Sequence, residues 1–432
     1  MKRSSIAVAA VLAASALLMA GCSSAASSTS SSGGPAKGTV NLLGADDPKT
    51  YAPVIAGFEK ANPGDTVKYT QVPFDQLSST LQQRLAAKDS TIDVYTVDQP
   101  NIPQLAAQGF LEDLSDLKGQ EKAATSDAQY KINLYNGKMW ALSVWNSTQM
   151  MFYNKDALAK AGVQAPSADP AKRWTWEQTE AAARKAQAAG TKSGLLLEQV
   201  EAYYQLQPLV ESLSGGSGIT GKKMLTPAVE TAGWQKAMQW YAESFSTGLS
   251  PRGVGGFQTS PVFSNGDVAF FVGGPWDIGT FAQNAKFNWG VAPMPYFAGG
   301  KQVTPTGSWS WGINPASKSK GLAKKFLEYA ALNPDGNLLT AKATTIIPSV
   351  TAAEKKYLPG LEALGGANSA GVGDLVSYEV DHTALARPIS VGYVQFDSVM
   401  SKAFADIRNG ADVKTRLAQA TQQLNDAWSQ LK

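Results

Sequence analysis

Gly273-Gly274-Pro275-Trp276-Asp277 sets an indole beside a carboxylate directly after the apolar run Val268 to Val272. Asn265-Gly266 signals a turn ahead of that run, which is short and apolar enough to be a strand buried on both faces. In open α/β sheets small molecules bind outside the carboxyl ends of strands, so Trp276 and Asp277 fall where a ligand would meet them. An aromatic face matches the C–H surface of a sugar ring, and a carboxylate accepts its hydroxyls. The same pair could instead serve the fold, with Trp276 closing the core and Asp277 capping the next helix.

Other residues offer the same chemistry. Asp98 follows the strand-like run Ile92 to Val97 and is placed to accept a hydroxyl. In Gly307-Ser308-Trp309-Ser310-Trp311 an extended backbone points Trp309 and Trp311 the same way, as one stacking platform or one hydrophobic ridge, and Gly307 permits close backbone approach. Arg387, ahead of Pro388, can donate two parallel hydrogen bonds to vicinal hydroxyls or to a carboxylate. It is therefore either a sugar clamp or one half of a salt bridge between lobes.

Most catalytic chemistry is missing. His382 is the single histidine and Cys22 the single cysteine, so there is no Ser/His/Asp or Cys/His set, no zinc spacing and no phosphate loop. Neither a cofactor nor a metal is expected, and the chain reads as a non-enzyme. A secreted glycosidase needs only two carboxylates about 5 Å or roughly 6.5 to 9.5 Å apart, and Asp98 with Glu201 or Asp277 would be that pair. Charged residues make up 17% of the chain and the formal net charge is +3, which attracts no polyanion and predicts no nucleic-acid partner. Eleven Trp and fourteen Tyr leave several aromatics for a binding cleft after the core is filled.

The elements that must position these residues follow a leader. Lys2 and Arg3 precede an apolar run from Ile6 to Ala20, too short to span a bilayer as a mature helix, so residues 1–21 read as a secretory signal. Cys22 then resembles the acylated cysteine of a bacterial lipoprotein, although Met19 stands where Leu is usual and Leu18 lies one place further back. Residues 22–38 are mainly Ser, Ala, Gly and Thr, a flexible tether. No second long apolar run follows, so the mature chain is expected to be anchored without spanning.

From Thr39 the order is β-α-β-α-β: Thr39 to Leu43, a helix opened by Asp47-Pro48, Val67 to Val72, a helix over Leu77 to Ala87, and Ile92 to Val97. Such alternation implies parallel pairing with right-handed crossovers, hence an α/β, doubly wound sheet. Further on, Thr175 and Gln178 spell a capping box, and Met238, Tyr241 and Phe245 form a helix core stripe.

Taken together, Phe263, Gly266, Ala269, Gly273 and Trp276 resemble the mid-chain signature of extracellular solute-binding proteins of carbohydrate ABC transporters. Asp98 with the following Leu105-Ala106 and Gly109, the Tyr153-Asn-Lys-Asp-Ala-Leu158 segment, and Arg387-Pro388 with Tyr393 resemble the same family. The resemblance implies the two-lobed periplasmic-binding-protein type II fold, each lobe a doubly wound, mainly parallel sheet. Crossings are expected at Ser143 to Thr148, near Pro293 and Pro295, and at Ile346 to Pro348. Residues 39–144 with 294–347 would form lobe one, and residues 145–293 with 348–432 lobe two. It also implies that Trp145 faces the cleft, and that Glu201 and Tyr203 touch ligand, although Val200 and Ala202 stand at diagnostic places. Trp174 and Trp176 match a structural landmark and take no ligand. The expected protein is a monomeric, lipid-anchored, extracytoplasmic receptor that captures a di- or oligosaccharide and delivers it to ABC transporter permease subunits. A polyamine or other non-carbohydrate solute is the alternative, against which Arg387 would act by repulsion.

Overall fold

Asp47 makes the first change of direction. Its carboxylate accepts the Lys49 N–H at 2.8 Å and Pro48 takes the first helical position, so β1 (Thr39–Gly44) passes directly into a helix over Pro48–Ala61. The computed structural model describes residues 37–255, 258–344 and 346–431; the leader, most of the tether and Cys22 lie outside them. After β1 the chain forms β2 (Thr66–Gln71), β3 (Val94–Asp98) and β4 (Leu142–Ser143), and leaves through β5 (Trp145–Asn146). It continues as β6 (Met150–Asn154), β7 (Ser193–Leu197), β8 (Val268–Gly273) and β9 (Trp289–Pro293). Then come β10 (Thr304–Thr306), β11 (Trp309–Ile313), β12 (Ile347–Pro348) and β13 (Ala384–Ala386); two short hairpins, Leu134–Tyr135 with Lys138–Met139 and Ile219–Thr220 with Thr226–Pro227, lie apart from these.

Two sheets result. The first has the order β2-β1-β3-β11-β4, with β1 parallel to both neighbours and β11 antiparallel to β3. One face packs Val94, Trp311 and Ile313 against Tyr51, Phe58 and Phe326; the other packs Tyr95 and Val97 against Leu77, Leu81 and Leu85. That leucine stripe on the helix Leu77–Ala86 is the one the i, i+4 spacing predicts. The second sheet has the order β9-β6-β8-β7. There β8 is parallel to β7, while β6 runs against both β8 and β9. The reversal follows from the connection: β6 comes straight from the hinge, whereas β7, β8 and β9 run back toward it. All six residues of β8 are buried, as its uninterrupted apolar run requires.

The crossings hold one another. β5 and β12 pair antiparallel, with Asn146 opposite Ile347, so the first and third crossings are hydrogen-bonded together. The second crossing comes later in the chain than Pro293 and Pro295. Met294 and Phe297 belong to the second core, and the Lys301 N–H bonds the Ser212 carbonyl at 2.9 Å, so the chain stays with the second sheet until β10, which pairs with β13. The prolines end β9 and leave the crossing to Thr304–Ser308.

A buried polar network underlies the hinge. Gln99 Nε2 donates toward Gln129, Ser143 and Ser310, Gln129 donates to Asn146 at 2.8 Å, and Thr306 donates to the Ser147 carbonyl at 2.9 Å. Glu121 accepts from Asn133 at 2.9 Å and from the Ser143 N–H at 3.2 Å within it. Two helices, Tyr393–Arg408 and Val413–Trp428, follow the last strand. Among the described residues no helix is long and apolar enough to cross a membrane.

Candidate functional site

Asp98 is the last residue of β3, and the ladder sets Trp309 directly opposite it at the start of β11. Arg387, immediately after β13, reaches across with both guanidinium nitrogens, at 2.9 and 2.5 Å from the two Asp98 oxygens. This fork joins the end of the first sheet to the chain that packs on the second, with only 11% of the arginine and 25% of the aspartate side chain exposed. Burial, which would discharge Arg387, is outweighed by Asp98, which holds the guanidinium more firmly protonated than usual. The cation also lies over two rings, 5.4 Å from the centre of Tyr204 and 5.9 Å from that of Tyr393. Nearby, burial raises Asp397 to about 6 against the pull of Arg387.

From Tyr204 the row continues to Trp276, whose ring centre is 6.5 Å away. The Tyr204 hydroxyl is 2.8 Å from Ser147 Oγ, and Ser147 donates to the Gly307 carbonyl at 2.6 Å, so the tyrosine must be the donor in the first bond. Trp276 donates its indole N–H to Glu198 Oε1 at 2.6 Å. The other Glu198 oxygen is buried without a partner, and burial together with Asp277 raises its pKa well above the usual carboxylate range. Burial raises Asp277 too, although Ser260 and the Gly274 N–H donate to it.

A cavity of about 390 Å³ opens beside the fork. Phe74, Asp98, Gln104 and Trp309 line it from the first sheet's side, Val394 and Asp397 from the first turn and a half of the helix Tyr393–Arg408. Phe74 meets Trp309 edge to face, centres 5.8 Å apart and planes at 75°.

Of the residues singled out in the sequence, Asp98, Trp309, Arg387 and Trp276 thus share one aromatic and charged row. Gly307 supports it: its φ of +87° suits glycine, and a Cβ there would lie 2.9 Å from Gln99 Oε1. Asp277 is buried and closes the Gly274–Asp277 turn by accepting the Gly274 N–H; its side chain makes no capping bond to the helix Ile278–Asn284 that follows, which was the role in the fold its position suggested.

Four residues stand elsewhere. Trp145 does not face the cleft: it is fully buried, stacked on Tyr51 at 5.7 Å, with its N–H on the Thr340 carbonyl at 3.1 Å. Trp311 shares a strand face with Trp309 but lies deeper, closed in by Tyr51 at 5.3 Å and Phe326 at 5.5 Å. Tyr203 stacks on Trp234 at 6.1 Å in the second core and donates to the Ser217 carbonyl at 2.7 Å. Glu201 pairs with Arg408, at the end of its helix remote from Tyr393.

Their places in the row are taken by Glu198 and Tyr204. Glu198 directly follows β7 as Asp98 ends β3, so the strand-end rule marks it. Tyr204 differs from Tyr203 by one step of helix phase. Of the carboxylates considered for hydrolysis, Asp98 is bound by Arg387 and Glu201 by Arg408, while Asp277 acts on Glu198, whose carboxyl pKa it helps to raise. Among the described residues no group of three or more His, Cys, Asp or Glu could hold a metal ion.

Two α/β lobes, hinged by paired crossing strands with an aromatic and charged row between them, define a two-lobed binding protein of the type II fold. Residues 44–336 match the bacterial extracellular solute-binding protein family, and the chain belongs to it. The maltodextrin-binding protein MdxE of Bacillus subtilis is 26% identical over 316 residues, covering 69% of this chain and 70% of that protein. A galactooligosaccharide-binding protein of the same organism is 25% identical over 309 residues, covering 68% and 69%. The fold is that of the ABC substrate-binding protein Lmo0181 of Listeria monocytogenes, solved with cycloalternan, at a TM-score of 0.80 and 20% identity over 91% of this chain and all of that one.

Proposed function

We propose that this chain captures a sugar of two or more rings between its lobes and hands it to the permease of an ABC importer. The observation that carries this reading is the row Trp309, Asp98, Arg387, Tyr204, Trp276: ring faces for C–H surfaces alternate with a charged fork for hydroxyls. Relatives named for maltodextrin and galactooligosaccharides, and a fold neighbour holding cycloalternan, support a carbohydrate ligand. A polyamine suits the row poorly, because Arg387 is held charged and burial favours the neutral forms of Glu198 and Asp277.

The two lobes in this reading comprise residues 39–144 with 309–347 and residues 145–303 with 348–432, with the second crossing at Thr304–Ser308 rather than near Pro293 and Pro295. The leader directs export and Cys22 carries the lipid that keeps a monomer at the outer face of the membrane, with no catalytic step. Ligand stabilises the approach of the lobes because only then do both sides contact it.

Trp276→Ala and Trp309→Ala test the site. Each should weaken sugar binding about a hundredfold in calorimetric titration while moving the melting midpoint little, since both rings are only partly buried. Unchanged affinity in both variants would remove the row from ligand recognition.

A further inference from the structure

Two of the residues that line the cavity each carry a buried polar atom with no hydrogen-bond partner. Thr96 is 1% exposed and its Oγ1 has no hydrogen-bond partner; Gln104 Oε1 is also shielded from solvent and unpartnered. Both residues line the cavity. Asp98 is taken by Arg387, and the Gln99 amide bonds Gln129, Ser143, Ser310 and the Ser308 N–H, so neither is free to pair with them; Trp311 Nε1, Arg387 Nε and the Tyr393 hydroxyl are likewise buried without a partner.

Leaving a buried hydroxyl unpaired lowers stability, and valine would fill the outline of Thr96 without that cost. Thr96 lies two residues before Asp98 on β3, so the two side chains share a face, and the ladder sets Thr96 opposite Trp311. At the end of β1, Gly44 keeps the adjoining space open: a Cβ there would lie 2.9 Å from Thr96 Cγ2 and 3.2 Å from its Oγ1. The cavity of about 390 Å³ is of a size that holds small molecules, and Phe74 and Trp309 supply ring faces at its rim.

We propose that Thr96 and Gln104 are ligand contacts, a polar pair that receives the hydroxyls of one sugar ring lodged in this cavity. The Gln104 oxygen accepts an O–H; the Thr96 hydroxyl both gives and takes. This rests on the carbohydrate reading and adds to it the residues that discriminate hydroxyl positions, since each unpaired atom penalises a ring lacking the matching group.

Thr96→Val and Gln104→Leu, titrated calorimetrically beside the wild type with maltose, maltotriose and a galactooligosaccharide, together with melts of the ligand-free proteins, test the proposal. Affinity for the best sugar should fall about tenfold in each variant, while the ligand-free midpoint of Thr96→Val stays equal to the wild type or rises. A wild type that binds sugar, with both variants binding it equally well, means ordered water fills these positions and overturns the proposal alone. A lowered ligand-free midpoint for Thr96→Val with unchanged affinity also overturns it, as the hydroxyl then serves the fold. A wild type that binds no sugar overturns the carbohydrate reading and this proposal with it.

Discussion

Four tryptophans on or near the cleft divide by what surrounds the indole. Trp145 and Trp311 are wholly enclosed, whereas Trp276 and Trp309 keep part of their rings at the surface. Trp145→Ala and Trp311→Ala should therefore each cost about 3–5 kcal/mol in urea denaturation, from lost burial and the cavity left behind. Equal stability losses for Trp276→Ala and Trp309→Ala would mean all four are core. The sequence marks Trp309 and Trp311 as facing one way, because strand alternation is local. It does not reveal how far along the strand the covering helix Pro48–Ala61 reaches, and that cover, through Tyr51, separates a platform from a core residue. Tyr203 and Tyr204 fail to separate for a related reason: one step of helix phase sends one ring to the Trp234 core and the other to Arg387.

At the scale of elements, the strands and caps are readable because their causes are neighbours in the chain. Asp47 caps its helix, Thr175 and Gln178 form the full capping box, and Asn136-Gly137 turns a hairpin with φ of 50° and 72°. The second crossing is not readable, since Pro293 and Pro295 interrupt the backbone whether or not the chain changes lobes. The polar network beneath the hinge is likewise hidden, being assembled from five separate segments. It has a measurable consequence through Glu121, whose carboxyl burial raises from 4.5 to about 8 against the Ser143 and Asn133 donors. Between those values the unfolded chain releases a proton that the folded protein retains, so stability falls as pH rises through that window and levels off above it. Glu121→Gln should lose less stability than the wild type between pH 5.5 and 8.5 in urea melts. Parallel pH profiles for the two proteins would show that Glu121 does not titrate in this way.

For the whole molecule, the fork of Asp98 and Arg387, the Ser147 link between Tyr204 and Gly307, and the paired crossings connect two sheets that otherwise keep separate cores. In the proposed reading a ligand placed in that row touches both sides at once, which would couple capture to lobe closure and to stability. The midpoint of thermal denaturation of the purified protein, measured against mono-, di- and oligosaccharides with polyamines and amino acids beside them, tests this most directly. Binding at a hundredfold excess over Kd adds about 2.7 kcal/mol, so one class of di- or oligosaccharide should raise the midpoint by roughly 5 °C while polyamines and amino acids leave it in place. A rise with a polyamine and with no sugar would contradict the account.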